Sequence, residues 1–312
     1  MSRILNEQHT DSADSVDLSF VIPMYKEEDI AREAVERAVR VGKNWGRSFE
    51  VLAVDDGSTD ATPRILAELR ATTPEFRWVQ LRPNCGQPAS SKAGMLSARG
   101  AMVCVLDADM QTPPEVVPQL VAALEQEGPD VAAVFGVTST RKRDDPARLL
   151  AGQAVFYFLE TRFGRHPIPH GASSFFVMRQ DVARRLGDLT FTKGNVGAIM
   201  AALGLGMRTV SYVKPKSYRD DSRLGLRGHV EEAVGSLALT GVLSRFGLAG
   251  GAAAAIAGAR SGRRWVRVAA GLAAATSLGS VAAAERFNRR SLRVSSTPLP
   301  MFEGEAAVLE QV

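Results

Sequence analysis

Short apolar segments alternate with helical segments along the first half of this chain, and this alternation most strongly constrains its fold. Apolar runs of strand length lie at 18–23, 49–54, 78–81, 101–106 and 131–137. Segments of helical character lie between them at 27–41, 61–71, 89–99 and 114–126. This order predicts an α/β fold of the Rossmann-like kind, with a doubly wound, mostly parallel sheet and right-handed crossovers.

Polar turns follow three of the predicted strands. Residues 23–25, 55–56 and 107–109 each lie where an apolar run ends. In doubly wound sheets, ligands bind beyond the carboxyl ends of the strands. We therefore predict that these three loops meet at one cleft.

The turn after the fourth strand carries two carboxylates. Asp107 and Asp109 are two residues apart, so on an extended segment both side chains point one way while Ala108 faces the other. Mg²⁺ and Mn²⁺ prefer oxygen ligands and commonly bind one or two carboxylates together with phosphate oxygens and water. Gln111 can supply a third oxygen. An ordinary acidic turn is the alternative interpretation of this pair taken alone.

Several other functions lose support from the sequence. No G-x-G-x-x-G motif follows the first strand and no Walker lysine motif is present, which disfavours dinucleotide-dependent hydride transfer and ATP hydrolysis. The net charge of +4 is too small to indicate nucleic-acid binding. A nucleotide-sugar, held through carboxylates and a bridging metal, is the ligand that fits the predicted cleft.

The ends and cysteines of the chain indicate its compartment. Residues 1–16 are polar and lack an apolar core, so we expect a flexible tail and no cleaved signal. Cys85 and Cys104 are the two cysteines of the 312-residue chain, which does not suggest a disulfide scaffold. We therefore expect a reducing cytoplasm.

Four ordered motifs resemble those of one enzyme family. They are FVIPMYKEEDI at 20–30, VLAVDDGSTDAT at 51–62, RPNCGQPASSKAGMLSARG at 82–100 and VLDADMQTPPEVVPQL at 105–120. They resemble family 2 glycosyltransferases of the GT-A fold, in the branch of dolichol-phosphate mannose synthases and bactoprenol-phosphate glucosyltransferases. The resemblance implies a GT-A domain over 17–228 and an inverting, metal-dependent transfer of a sugar from UDP or GDP to a polyprenyl phosphate.

The resemblance also assigns roles to single positions. The implied substrate contacts are Pro23, Tyr25, Glu27, Asp55, Asp56, Lys92, Asp107, Ala108 and Arg141. The implied ligands of Mg²⁺ or Mn²⁺ are Asp107, Asp109 and Gln111, and the implied catalytic residues are Asp107, Asp109, Arg219 and Arg223. Asp55 is expected to hydrogen-bond the base, and Asp56 to support its loop. Turn chemistry for Asp56, packing for Tyr25 and a solvated surface for the arginines are the alternatives.

The acceptor is inferred from a gap in the acidic residues. No Asp or Glu occurs between Asp188 and Asp220, where relatives that glycosylate a hydroxyl usually carry a general base. A lipid phosphate is already ionised and needs no base, so the gap favours a phosphate acceptor. Transfer to a hydroxyl of a small molecule or glycan, with Asp220 or Asp221 as base, is the alternative. An inactive nucleotide-binding protein is a third interpretation. The segment GASSFFVM at 171–178 departs from the family pattern and leaves the acceptor's identity open.

The C-terminal region, 229–290, is predicted to form a helical hairpin. Its uncharged runs at 246–259 and 268–284 are shorter than the roughly 20 residues of a spanning helix. We expect the hairpin to lie on or dip into the inner leaflet at the cytoplasmic face, with arginines of the turn at 259–267 on anionic lipids. A spanning hairpin, or a soluble pair of helices packed on the domain or on a second subunit of a homo-oligomer, are the alternatives. Residues 291–312 are expected to form a tail.

Overall fold

The structure, a computed structural model, describes most of the predicted catalytic domain and parts of the C-terminal region. The described residues are 16–109, 111–138, 147–164, 168–172, 174–189, 196–213, 233–234, 236–243, 245, 248, 252–254, 256, 260, 264–291 and 301–303.

The secondary structure follows the predicted alternation through the first five strands. The strands are β1 Val16–Met24, β2 Phe49–Asp55, β3 Phe76–Leu81, β4 Gly100–Val105, β5 Val131–Thr138, β6 Phe176–Arg179, β7 Gly206–Tyr212 and β8 Met301–Glu303. The helices are α1 Ala31–Trp45, α2 Thr62–Thr72, α3 Gln87–Ser97, α4 Val117–Gln126, α5 Ala147–Phe163, α6 Gln180–Gly187, α7 Val196–Ala202 and α8 Arg264–Ser291. A short 3₁₀ helix, Pro114–Val116, precedes α4.

These strands form one mixed sheet among the described residues, in the order β7-β5-β6-β4-β1-β2-β3-β8. Its centre, β4-β1-β2-β3, is parallel throughout, and β5 is parallel to β7. Strand β6 runs antiparallel between β4 and β5, and β8 runs antiparallel to β3 at the edge. The predicted α/β class with a mostly parallel, doubly wound sheet is confirmed.

Alternation along β1 explains why helices cover both faces. Leu18, Phe20 and Ile22 belong to one buried cluster, with side chains of α1, α2 and α4. Val21 belongs to the second cluster, with side chains of α3, α6 and α7. Gly94 lets α3 approach β1 closely, because a Cβ at this position would overlap the Val21 side chain. The carboxyl ends of the parallel strands are therefore held at a common edge between two packed layers.

The predicted extended geometry of the Asp107–Asp109 pair is wrong. Strand β4 ends at Val105, and both carboxylates lie in the loop that follows it. Beyond the strand, the Thr112 hydroxyl accepts a hydrogen bond from the Asp107 amide at 2.9 Å. Ala108 does face the interior, where its side chain is 4% exposed.

The C-terminal region differs from its prediction in two places. Helix α8 begins at Arg264, so the expected turn over 259–267 is wrong for residues 264–267, where arginine is a good helix former. The expected tail contributes β8, whose residue Phe302 pairs with Gln80 of β3. Most of the first arm, 246–259, lies outside the described residues, so the hairpin stays a prediction. No helix in the described part of the chain has the length and apolar character needed to cross a bilayer.

Candidate functional site

The loops after β1 and β2 are fastened to each other at the carboxyl edge of the sheet. The Lys26 amide donates a hydrogen bond to the Ser58 hydroxyl at 2.8 Å, and the Glu27 amide donates to the Thr62 hydroxyl at 2.9 Å. Lys26 has a φ of 54°, in the left-handed region that few residues other than glycine adopt. The two loops thus form one structural unit, as the sequence predicted for a shared cleft.

Asp55, at the end of β2, is fully buried, and its carboxylate accepts hydrogen bonds at both oxygens. One carboxylate oxygen accepts a hydrogen bond from the Ser58 amide at 3.1 Å, and the other accepts one from Gln80 Nε2 at 2.7 Å. The side-chain oxygen of Gln80, Oε1, in turn accepts a hydrogen bond from Arg82 Nε at 2.6 Å. Burial raises the pKa of the Asp55 carboxyl, and the hydrogen bonds from Ser58 and Gln80 oppose this rise. This chain of contacts fixes Asp55 from the neighbouring strand β3.

Asp56 fastens the next loop to the same edge. Its two carboxylate oxygens accept hydrogen bonds from the backbone amides of Cys85 and Gly86, both at 2.8 Å. Its own carbonyl oxygen accepts one from Asn84 Nδ2 at 3.0 Å. Because Gly86 directly precedes α3, Asp56 sets where that helix begins. The Asp56 carboxylate thus holds the loop after β3, whereas the predicted support for its own loop stays a prediction.

Asp107 connects three parts of the fold. Its Oδ1 accepts a hydrogen bond from Gln87 Nε2 at 3.3 Å, and its Oδ2 accepts one from the Ser174 hydroxyl at 2.6 Å. Gln87 is the first residue of α3, and Ser174 lies just before β6. The side chain is half-buried, so its carboxylate is both oriented and within reach of a ligand.

Asp109 lies in the same loop, beside a buried tyrosine. Its Oδ1 accepts a hydrogen bond from the Gln111 amide at 3.0 Å, and the Tyr212 hydroxyl donates to the Gln111 carbonyl at 3.4 Å. Burial first, and then the charges of Asp107 and Asp109, raise the pKa of Tyr212 to about 12. Both carboxylates therefore lie near a phenol that stays protonated and acts as a donor.

Three residues at the end of β1 and in the loop after it were expected to surround the base and ribose. Pro23 and Tyr25 are half-buried, and Glu27 is buried with 6% of its surface exposed. The Lys26 ammonium lies 5.5 Å from the centre of the Tyr25 ring. Pro23 lies at the carboxyl end of β1, Tyr25 and Glu27 lie in the loop that follows it, and their contact with a nucleotide stays a prediction.

The structure describes two of the five remaining expected site residues. Lys92 lies inside α3 with 7% of its surface exposed, and burial lowers the pKa of its ammonium group. Ala108 packs its side chain into the core. Arg141, Arg219 and Arg223 lie outside the described residues, so their roles stay predictions.

Sequence reasoning missed four residues that shape the acidic loop. They are Gln87, Thr112, Ser174 and Tyr212. Thr112 is close enough in sequence to be recognised as a turn residue. The other three come from distant segments, and the odd composition of 171–178 was the one signal that pointed towards Ser174.

The fold and its edge define a doubly wound α/β protein with carboxylates at the carboxyl ends of its parallel strands, and comparison with known proteins identifies the family. The sequence model described as "Glycosyl transferase family 2" matches residues 19–187, which is more than half of the chain. The chain therefore belongs to glycosyl transferase family 2, as the four motifs predicted.

Named relatives share part of this chain. An undecaprenyl-phosphate 4-deoxy-4-formamido-L-arabinose transferase of Edwardsiella ictaluri (strain 93-146) is 35% identical over 156 residues, covering 49% of this chain and 46% of that protein. The uncharacterized glycosyltransferase YkcC of Bacillus subtilis (strain 168) is 27% identical over 212 residues, covering 68% of this chain and 64% of that protein. The chain thus spans about half the length of the arabinose transferase it matches.

A solved structure supports the fold. Glucosyl-3-phosphoglycerate synthase from Mycobacterium tuberculosis, crystallised with Mn²⁺, UDP and glucosyl-3-phosphoglycerate, superimposes with a TM-score of 0.51 at 20% identity. The match covers 74% of this chain and 80% of that one. The same enzyme with Mg²⁺ and UDP gives a TM-score of 0.51 at 19% identity, covering 72% of this chain and 80% of the other. The likeness confirms the GT-A fold.

Proposed function

We propose that this chain transfers a sugar from UDP or GDP to the phosphate of a polyprenyl phosphate, with inversion at the anomeric carbon. The observation that carries the proposal is the loop of Asp107 and Asp109 at the carboxyl edge of a family 2 fold. Relatives named as undecaprenyl-phosphate transferases support a lipid phosphate as acceptor.

The donor set of the acidic loop fits Mg²⁺ or Mn²⁺. Asp109 and Gln111 would hold the ion together with Asp107, and all three offer oxygen atoms. Within the described ranges, no cluster of three or more Asp, Glu, His and Cys side chains could hold a metal. A site formed by Asp107, Asp109 and Gln111 leaves positions in the coordination shell of the ion for oxygens of the donor diphosphate. When bound, the ion supplies Lewis-acid stabilisation of the leaving diphosphate.

The remaining edge residues would orient the donor. Asp55, held by Ser58 and Gln80, would face the base, and the loop that carries Tyr25 would lie along it. The hydrogen bonds from Ser58 and Gln80 hold the Asp55 carboxylate in one orientation, so little reorganisation would be needed on binding. Tyr212, which stays protonated, would keep the acidic loop in place through the Gln111 carbonyl.

The chemical step needs no general base from the protein. An oxygen of the acceptor phosphate bonds to the anomeric carbon while the bond from that carbon to the donor diphosphate breaks, and the electron pair leaves with the nucleoside diphosphate. The acceptor oxygen is already ionised, so no proton has to be removed. The absence of Asp and Glu from 189–219 supports this acceptor, and cationic residues such as Arg219 and Arg223 would suit its charge.

The lipid acceptor implies that the protein works at a membrane surface, and we place it peripherally at the cytoplasmic face. Helix α8 exposes Val268 and Leu278, and its last turn carries Arg289 and Arg290. Apolar and cationic side chains together favour an anionic bilayer surface. Flotation with anionic vesicles, but not with neutral ones, is the expected result, and equal recovery in the unbound fraction would contradict this location.

The test of the proposed function compares two acceptors that differ in one group. Undecaprenyl phosphate and undecaprenol are each incubated with radiolabelled UDP- and GDP-sugars and Mn²⁺. We expect label in the organic phase only with the phosphate. Label on the free alcohol, or on a water-soluble hydroxyl acceptor, would contradict the proposal, and the Asp109→Asn variant measures the background.

A further inference from the structure

We infer that Ser174 is a positioning residue, which sets the orientation of the Asp107 carboxylate for the donor. This inference rests on the proposed function, because it assigns Asp107 to the nucleotide-sugar site. The Ser174 hydroxyl donates to Asp107 Oδ2 at 2.6 Å, a short bond to a charged acceptor. Both side chains are half-buried, so the bond is shielded from most of the solvent.

The sheet register explains why these residues meet although they are distant in sequence. Val105 of β4 pairs with Phe176 of the antiparallel strand β6. Two residues beyond Val105 is Asp107, and two residues before Phe176 is Ser174. In an antiparallel pair the two positions leave the same end of the strands, so the loop after β4 and the segment before β6 start side by side. The pairing of Val105 with the buried Phe176 therefore brings the two segments close, and the Ser174 hydroxyl meets the Asp107 carboxylate there.

A second donor restrains Asp107 from the other side. Gln87 Nε2 lies 3.3 Å from Asp107 Oδ1, and Gln87 is the first residue of α3. The start of α3 is itself held by Asp56 through the amides of Cys85 and Gly86. The two acidic loops are therefore linked through the protein, and the Ser174 hydroxyl makes a shorter bond to the Asp107 carboxylate than Gln87 does.

The restrained Asp107 carboxylate should favour binding of the nucleotide-sugar donor. A carboxylate held at both oxygens keeps one rotamer, and its remaining lone pairs face a fixed direction. Loss of the Ser174 hydroxyl removes the shorter of these two contacts, so the carboxylate gains freedom that binding must remove. Residues that orient ligand-holding carboxylates in this way commonly change affinity or activity by about 10- to 100-fold.

The test is a double-mutant cycle on Ser174 and Asp107. The variants are Ser174→Ala, Ser174→Thr, Asp107→Asn and the double variant, with Ser211→Ala, an exposed serine on β7, as a matched control. Two quantities are measured for each: kcat/KM for the donor, and calorimetric affinity for UDP or GDP with Mn²⁺, which needs no turnover. Thermal unfolding checks that each variant is folded.

We expect Ser174→Ala to lower kcat/KM and nucleotide affinity by about 10- to 100-fold. Ser174→Thr keeps the hydroxyl and should retain most of both. In the Asp107→Asn background, Ser174→Ala should cost less than about twofold, because coupled residues are not additive. A full additional loss in that background would overturn the inference, as would a Ser174→Ala variant equal to Ser211→Ala.

The outcome for the unmodified protein separates this inference from the proposed function. Wild-type binding of a nucleotide with Mn²⁺, together with an unaffected Ser174→Ala variant, refutes the positioning role alone. Failure of the wild type to bind either nucleotide with Mn²⁺ would refute the proposed function and, with it, the inference.

Discussion

The acidic loop after β2 and the acidic loop after β4 bring carboxylates to the same edge of the sheet, but their surroundings are opposite. Asp55 and Asp56 are buried and accept hydrogen bonds from backbone amides and from Gln80. Asp107 and Asp109 are half-buried, and distant side chains orient Asp107. The first pair builds the loops of the site, whereas the second pair has the exposure that ligand binding requires.

The largest effect is expected for Asp109, which belongs to the half-buried pair of carboxylates. Asp109→Asn keeps the shape of the side chain but removes a charge from the proposed metal site, so turnover should fall by about 1000-fold or more. Unfolding by urea should change little, because the side chain is not buried. Donor turnover and urea midpoints are measured together, and a folded variant with normal turnover would contradict the proposed role.

Asp56 should behave in the opposite way. Asp56→Asn places an amide group opposite two backbone amides, so we expect a loss of about 2 to 3 kcal/mol in the free energy of unfolding. Asp130→Asn, in an exposed turn, is the matched control. Urea denaturation measures both, and an Asp56→Asn variant as stable as the control would remove the contrast between the two loops.

A buried carboxylate should destabilise the fold less when both of its oxygens accept hydrogen bonds. Glu160 on α5 tests this expectation. Its Oε1 accepts a hydrogen bond from the Thr240 hydroxyl at 2.6 Å, while its buried Oε2 has no hydrogen-bond partner within the described part of the chain. Burial raises the pKa of Glu160 to about 7, and the Thr240 hydrogen bond opposes this rise.

The raised pKa fixes the sign of the pH dependence. The stabilising contribution of protonated Glu160 is fully present below its ordinary pKa of 4.5 and is lost as pH rises through about 7. Glu160→Gln should therefore be more stable than wild type above this range, by on the order of 2 kcal/mol. Urea unfolding across pH measures the difference, and parallel pH profiles of the two proteins would refute the argument.

The smallest expected effect concerns Cys85, in the loop that Asp56 holds. Cys85 is exposed and Cys104 is buried, so a maleimide should label Cys85 alone. Burial and the charge of Asp56 raise the pKa of the Cys85 thiol, so labelling is done at mildly alkaline pH. UDP or GDP with Mn²⁺ should slow the labelling severalfold if this loop borders the donor, whereas an unchanged rate would place the loop away from it.

The sequence predicts the local parts of this molecule well. The apolar runs that became β1 to β5 are long enough to recognise, and the turns after them are rich in acidic and proline residues. Strands β6 and β8 were missed because they have four and three residues, too few to display a period. Strand β7 was missed as well, and the importance of its last residue, Tyr212, depends on a distant loop.

The sequence predicted the carboxylates of the site, but it did not predict the hydrogen bonds that connect them to distant residues. Asp107 and Asp109 are visible in sequence because they are close together. Ser174 is visible only once β6 is known to pair with β4 in a particular register, which no local pattern specifies. The donors to Asp56 come from a loop that begins beyond β3, so its role also needed the fold.

Equilibrium binding of UDP and GDP, with and without Mn²⁺, to wild type and to Asp109→Asn tests the central claim most directly. The proposed site predicts that one nucleotide binds the wild type much more tightly with Mn²⁺, and that Asp109→Asn loses this metal-dependent gain. Equal binding by the two proteins, or wild-type binding that Mn²⁺ does not change, would contradict the assignment of this loop to the metal and the diphosphate.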